Sequence, residues 1–241
     1  MRGARVTSSG SRRALLAQLP LALMLEDHAS FETFVTGSNV AAVEHVRSLA
    51  SGDAETVWLW GAEGAGKSHL LQAACRAATA AGRRAMYVAL PAASPAILAD
   101  LEQVEVLAID DVHAIAGELA WERPLFVILN AFSSRNGALL LAANAPAAQC
   151  GFRVADLQSR GAGAVTYRLA PLGDEGRAAA LRRHAAARGL ELDAAAAEFL
   201  LKRVARDMTA LTRWLARLDR ASLSAQRRLT IPFIREQLGA E

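Results

Sequence analysis

The sequence predicts an α/β fold: a parallel five-stranded sheet with helices on both faces, followed by an all-helical second domain. Three observations predict it. Short apolar runs alternate with helical segments between residues 39 and 169, the order that crossover connections of a parallel sheet require. A glycine-rich stretch, residues 61–68, lies directly between the first apolar run and a helix. After Pro171 the apolar runs stop, and only helical periodicity continues.

The elements follow in order. Residues 39–50 form an amphipathic helix with Ser38 or Asn39 as its cap. Residues 57–60 (Val-Trp-Leu-Trp) are the first strand, and residues 67–81 the helix after the glycine-rich stretch, closed by Gly82. Residues 85–90 are the second strand, stopped by Pro91; residues 104–109 are the third, running into Asp110-Asp111. Residues 118–135 read as a helix in which Pro124 forces a bend or a restart. Residues 138–142 are the fourth strand, followed by Asn144-Ala-Pro146, and residues 165–169 the fifth. Helices of the second domain fall near residues 175–188, 194–205, 209–225 and 231–238. The division expected is an N-terminal tail (1–25), an α/β domain (26–170) and a helical domain (171–241), without internal repeats.

Composition excludes some classes. With 53% hydrophobic residues in 241, the chain has material for a sizeable core, and long disorder is not expected. The formal charge is +3, but residues 171–241 carry thirteen Lys/Arg against nine Asp/Glu, so the remainder is slightly acidic. A solvated helical face accounts for that excess, and weak DNA contact by the second domain stays open. Cys75 and Cys150 supply neither a disulfide framework nor metal spacing and suit a reducing compartment. Arg12-Arg13 followed by an apolar run to Leu25 imitates a signal peptide. Gln18 and Pro20 interrupt that run and Glu26-Asp27 follow it, so a cytoplasmic location is expected. No apolar run reaches membrane-spanning length. Gln18-Leu19-Pro20-Leu21-Ala22-Leu23 reads instead as a short extended motif. Its alternate leucines anchor in a partner's pockets or tuck onto the chain's own surface.

The chemistry starts at Gly61-Ala62-Glu63-Gly64-Ala65-Gly66-Lys67-Ser68, which matches G-x-x-x-x-G-K-[ST]. Backbone amides from Gly61 to His69 would wrap the phosphates of ADP or ATP, Lys67 would reach the terminal pair, and Ser68 would ligate Mg²⁺. Lys67 is one of two lysines against twenty-five arginines, so a compact ammonium is kept where phosphates need a point charge. Asp110, at the tip of a buried strand read as adjoining the first, would hold the same Mg²⁺. Asp111 beside it would polarise the attacking water, and Asn144 past the fourth strand would help orient it. Arg160 is read as lying in a loop before the fifth strand, too far to reach its own γ-phosphate. It would project toward a neighbouring subunit's nucleotide or serve as a surface ion-pair partner.

Together, Phe34-Val-Thr-Gly37-Ser-Asn39, the phosphate loop, Ile109-Asp110-Asp111, Asn144-Ala-Pro146 and Ser159-Arg160 resemble, in order, the AAA+ domain of the bacterial replication initiator DnaA. The tail motif and residues 218–233 resemble the DnaA-related Hda regulators, and the likeness runs from about Gln18 to Leu238. The DNA-binding domain that follows in DnaA is expected to be absent here. The resemblance implies an AAA+ fold with a helical lid and a regulatory role: regulatory inactivation of DnaA. Gln18, Leu19, Leu21 and Leu23 would dock on the DNA-loaded sliding clamp of the polymerase. Arg160 would then stimulate hydrolysis of DnaA-bound ATP in trans and prevent re-initiation. The chain would act mainly as an activator of its partner's ATPase, with weak turnover of its own and self-association both left open. Thr209 stands where the family's lid arginine is usual, which puts ATP-versus-ADP discrimination in doubt; Arg206 and Arg213 lie one helical turn either side. The alternative is a DnaA-like ATPase acting directly on DNA, as a helicase loader or transposition helper.

Overall fold

The computed structural model describes residues 28–99, 101, 103–204, 208–225 and 229–239. Helix α1 (Val40–Ser51) precedes β1 (Thr56–Trp60), α2 (Lys67–Ala80), β2 (Ala85–Ala89) and β3 (Val106–Asp110). Then come α3 (Leu119–Ser134), β4 (Ala138–Ala143), α4 (Ala155–Ala162) and β5 (Val165–Arg168). Helices α5 (Asp174–Ala187), α6 (Ala194–Arg203), α7 (Met208–Ala225) and α8 (Ile231–Leu238) complete the described chain.

All five strands pair in parallel, in the order β2-β3-β4-β1-β5. Alternation along each strand sorts its side chains onto the two faces of the sheet. Val57, Leu59, Val106, Ala108, Leu140 and Ala142 pack with α1 and α2. Trp58, Leu107, Ile109, Leu139 and Leu141 pack on the opposite face with Leu125 and Leu129 of α3 and Leu157 of α4. Every residue of β3 and β4 is buried, as strands covered on both faces must be. The C-terminal helices hold a separate core around Leu181, Leu200, Leu211, Leu215 and Phe233.

Three expectations change. β3 does not adjoin β1: β4 lies between them, pairing Trp58 with Leu141 on one side and Leu107 with Leu139 on the other. Strand order depends on crossover paths, which local patterning does not encode. Arg160 sits not in a loop but in the last turn of α4, a helix of eight residues that buries only Leu157 and Gly161. Pro124 lies inside an unbroken α3.

Asn39 precedes α1 but makes no capping bond. Its side chain instead grips the backbone at the exit of β5: Nδ2 donates to the Ala170 carbonyl (3.0 Å) and Oδ1 accepts from the Ala170 N–H (2.8 Å). Arg183 of α5 donates to the Phe34 carbonyl at 2.8 Å. These bonds fix the segment before α1 against the start of the helical unit. Among the described residues no helix is long and apolar enough to cross a membrane. The tail motif, Gln18, Leu19, Leu21 and Leu23, lies outside the described residues, as does Arg206.

Candidate nucleotide-binding site

The turn from β1 into α2 is built by glycine. At Gly61 φ is +153°, and a Cβ would lie 2.5 Å from the Leu169 carbonyl oxygen, so a side chain would push the loop off the end of β5. At Gly66, left-handed with φ +93°, a Cβ would lie 2.9 Å from the Phe34 ring. The first backbone bond of α2 runs from Leu70 N–H to the Gly66 carbonyl at 3.0 Å, leaving the amides of Lys67, Ser68 and His69 without intrahelical acceptors. Unsatisfied amides and the positive end of the helix dipole make an anion site.

Lys67 is buried, and its Nζ donates to the Gly61 (2.8 Å) and Ala62 (2.9 Å) carbonyls. Burial lowers its pKa, while Asp110, Asp111 and Glu63 oppose the shift. Asp110 ends β3 almost wholly buried: Tyr87 OH donates to its Oδ2 at 2.8 Å, and its Oδ1 accepts from the Asp111 N–H at 2.9 Å. Burial, then the Asp110 charge, pushes the Tyr87 phenol far above its ordinary value, so it stays a donor and fixes that carboxylate. Asp111 is the one described non-glycine residue with positive φ (φ 55°, ψ 40°). Burial and Asp110 raise its pKa. This backbone lies in the left-handed region, uncommon outside glycine but one that Asp adopts more readily than most residues.

Gly64, Ala65, Lys67, Ser68, Asp111 and Asn144 line one cavity of about 710 Å³. Leu172, Ala180, His184 and Thr212 close it from the helical unit, and none of the described lining residues is an arginine. Arg213 is exposed, so the turn of α7 at the cavity presents Thr212. The His69 ring packs 5.2 Å from both Phe34 and His184, and its Nε2 lies 2.8 Å from the Ser30 carbonyl. His69 therefore offers a ligand its backbone amide rather than its ring. Asn144, past β4, is exposed at the cavity; Trp58 Nε1 donates to the Ala145 carbonyl at 3.0 Å and ties that turn to β1. Arg160 is exposed, does not line this cavity, and makes no side-chain hydrogen bond or ion pair among the described residues.

The donor set suits Mg²⁺. Ser68 and Asp111 offer hard oxygens at the cavity. Asp110 does not line it, and its 2%-exposed carboxylate is already bonded by the Tyr87 hydroxyl and the Asp111 N–H. No group of three or more His, Cys, Asp or Glu that would hold a metal alone occurs among the described residues. Mg²⁺ is held by one or two protein oxygens together with phosphate.

Sequence reasoning missed Glu122, the Asn39–Ala170 pair and the Phe34–His69–His184 cluster. A charge between Trp121 and Leu125, on the apolar face of α3, was the available signal for Glu122.

The family model for the bacterial DnaA ATPase domain matches residues 25–163, more than half of the chain. The chain belongs to the DnaA ATPase-domain family. A second model, the lid domain of Hda, matches residues 174–238, so α5–α8 form the lid of a DnaA-related AAA+ protein. Domain III of the Thermotoga maritima replication initiation protein DnaA superposes with a TM-score of 0.74 at 21% identity, covering 88% of this chain and 95% of that one. AMPPCP-bound DnaA from Aquifex aeolicus gives 0.63 at 21% identity, covering 80% and 66%. The Thermotoga maritima RuvB branch migration motor gives 0.60 at 20%, covering 86% and 68%. At these identities the likeness establishes a shared AAA+ fold.

Proposed function

We propose that this DnaA-family protein is a nucleotide-bound regulatory adaptor that accelerates hydrolysis of ATP held by the DnaA initiator, and so limits re-initiation of replication. Residues 61–69 hold ADP or ATP, Ser68 and Asp111 hold Mg²⁺, and Asn144 faces the terminal phosphate. Mg²⁺, when bound, neutralises phosphate charge. Arg160 acts across a subunit boundary, where a guanidinium stabilises charge on the transferred phosphoryl group. The observation that carries the reading is Arg160 itself: exposed at the end of a short helix, engaged with no described side chain, and off its own cavity. The match to the Hda lid supports it. Gln18, Leu19, Leu21 and Leu23 tether the chain to the DNA-loaded sliding clamp, in the cytoplasm.

The test is phosphate release from ATP-loaded DnaA in the presence of DNA-loaded clamp. Arg160→Ala lowers the stimulated rate on the order of a thousandfold, the scale of a lost arginine finger, while nucleotide binding to the variant persists. Unchanged stimulation by Arg160→Ala sinks the reading. Gln18→Ala with Leu23→Ala abolishes clamp pull-down; retained capture moves the docking site elsewhere. The second reading, an ATPase acting directly on DNA, is favoured by the Asp110-Asp111 pair, of which Asp111 lines the cavity. Brisk turnover by the protein and DNA alone would select it.

A further inference from the structure

Glu122, in the first turn of α3, is fully buried. Such a carboxylate is costly unless its lone pairs are filled. No cation fills them among the described residues; backbone amides do. Oε1 accepts from Gly117 N–H at 2.6 Å, Oε2 accepts from Val154 N–H at 2.8 Å, and Arg153 N–H is shared at 2.9 and 3.1 Å. Arg153 and Val154 are the last two residues before α4, and Val154 holds its N-cap position. The carboxylate thus pins the entry of the helix that carries Arg160 to the helix across the same face of the sheet.

The far end of α4 is pinned by contact. A Cβ on Gly161 would lie 2.6 Å from the Ala147 Cβ and 3.4 Å from the Trp58 ring, so this residue sits directly against the turn after β4. An eight-residue helix does not hold its own orientation in water and takes it from such contacts. Arg160 lies between the two anchors, with its side chain exposed.

We propose that Glu122 is the positioning residue for Arg160: its carboxylate sets where the guanidinium stands when it is offered to a partner's triphosphate. This rests on the reading of Arg160 as a residue acting in trans. A reacting geometry displaced by about 1 Å costs roughly a hundredfold in rate, so a charge far from the reaction, acting only through α4, would control it.

The test uses the full chain with ATP-loaded initiator and DNA-loaded clamp. Glu122→Gln keeps the side-chain shape but turns one acceptor into a donor facing backbone N–H groups. The maximal stimulated rate should fall tenfold or more. The half-saturating protein concentration and the variant's own nucleotide affinity should stay within about twofold, a split that general loss of structure would not produce. The double variant Glu122→Gln/Arg160→Ala should be no slower than Arg160→Ala alone. A full rate from Glu122→Gln where Arg160→Ala is inactive overturns the proposal, and so do additive losses. If Arg160→Ala itself leaves stimulation intact, the functional reading has failed and takes this proposal with it. Should Glu122→Gln not fold, Glu122→Asp, which keeps the charge one methylene short, is held to the same criteria.

Discussion

Replacing Asn39 by alanine removes the clasp between the segment before α1 and the exit of β5. Both bonds are lost together, the 3.0 Å donation to the Ala170 carbonyl and the 2.8 Å acceptance from its N–H. Asn39 is 7% exposed, so water does not readily replace its amide, and the partners left behind are backbone groups. A net hydrogen bond is worth about 1 kcal/mol and an unpaired buried partner more, giving a loss of about 3 kcal/mol. For a chain of this size that loss lowers the melting temperature by roughly 6–12 °C. Thermal unfolding followed by circular dichroism measures it. Nucleotide affinity should change less than about threefold, because Asn39 does not line the cavity. Asn39→Asp keeps the acceptor but sets a carboxylate against the Ala170 carbonyl, so it should lose at least as much. A melting point within about 2 °C of the parent for both variants would refute the claim that this pair holds the junction.

Two further outcomes are expected. Lys67→Ala should weaken binding of fluorescent ATP or ADP about a hundredfold, since charge-assisted contacts to phosphate are lost from a buried site; an affinity within threefold would remove Lys67 from the site. His184, held near pKa 4 by burial and then by His69, Arg188 and His28, binds its proton more readily unfolded, where its value is near 6.5. Its contribution is therefore complete above about pH 6.5 and is lost as pH falls toward 4, by up to about 3 kcal/mol. Denaturant titrations at pH 7, 5.5 and 4.5 should show that decline, and His184→Leu should flatten it. An identical slope in the variant would place the sensitivity elsewhere.

The five strands, the phosphate loop and the paired acids were legible because each is a local pattern: apolar runs, glycine spacing, a charge at the end of a buried run. Lys67, Ser68, Asp111 and Asn144 line one cavity for that reason. What stayed hidden depends on where crossovers lead. Nothing near residues 104–109 tells that β4 will separate β3 from β1. Helix α4 escaped because it spans only eight residues and buries one large apolar side chain, Leu157. Asn39 read as a cap because asparagine before a helix usually is one; its partner lies 131 residues away, beyond any local pattern.

The scarcity of lysine has a practical side. Lys67 is buried with its Nζ hydrogen-bonded, whereas the Lys202 side chain is 77% exposed and pairs with Glu198 at 3.7 Å. Of the two lysines, amine-directed reagents would therefore meet Lys202, on the lid. A dye or cross-linker could be attached there to the native sequence and report lid movement without any engineered cysteine.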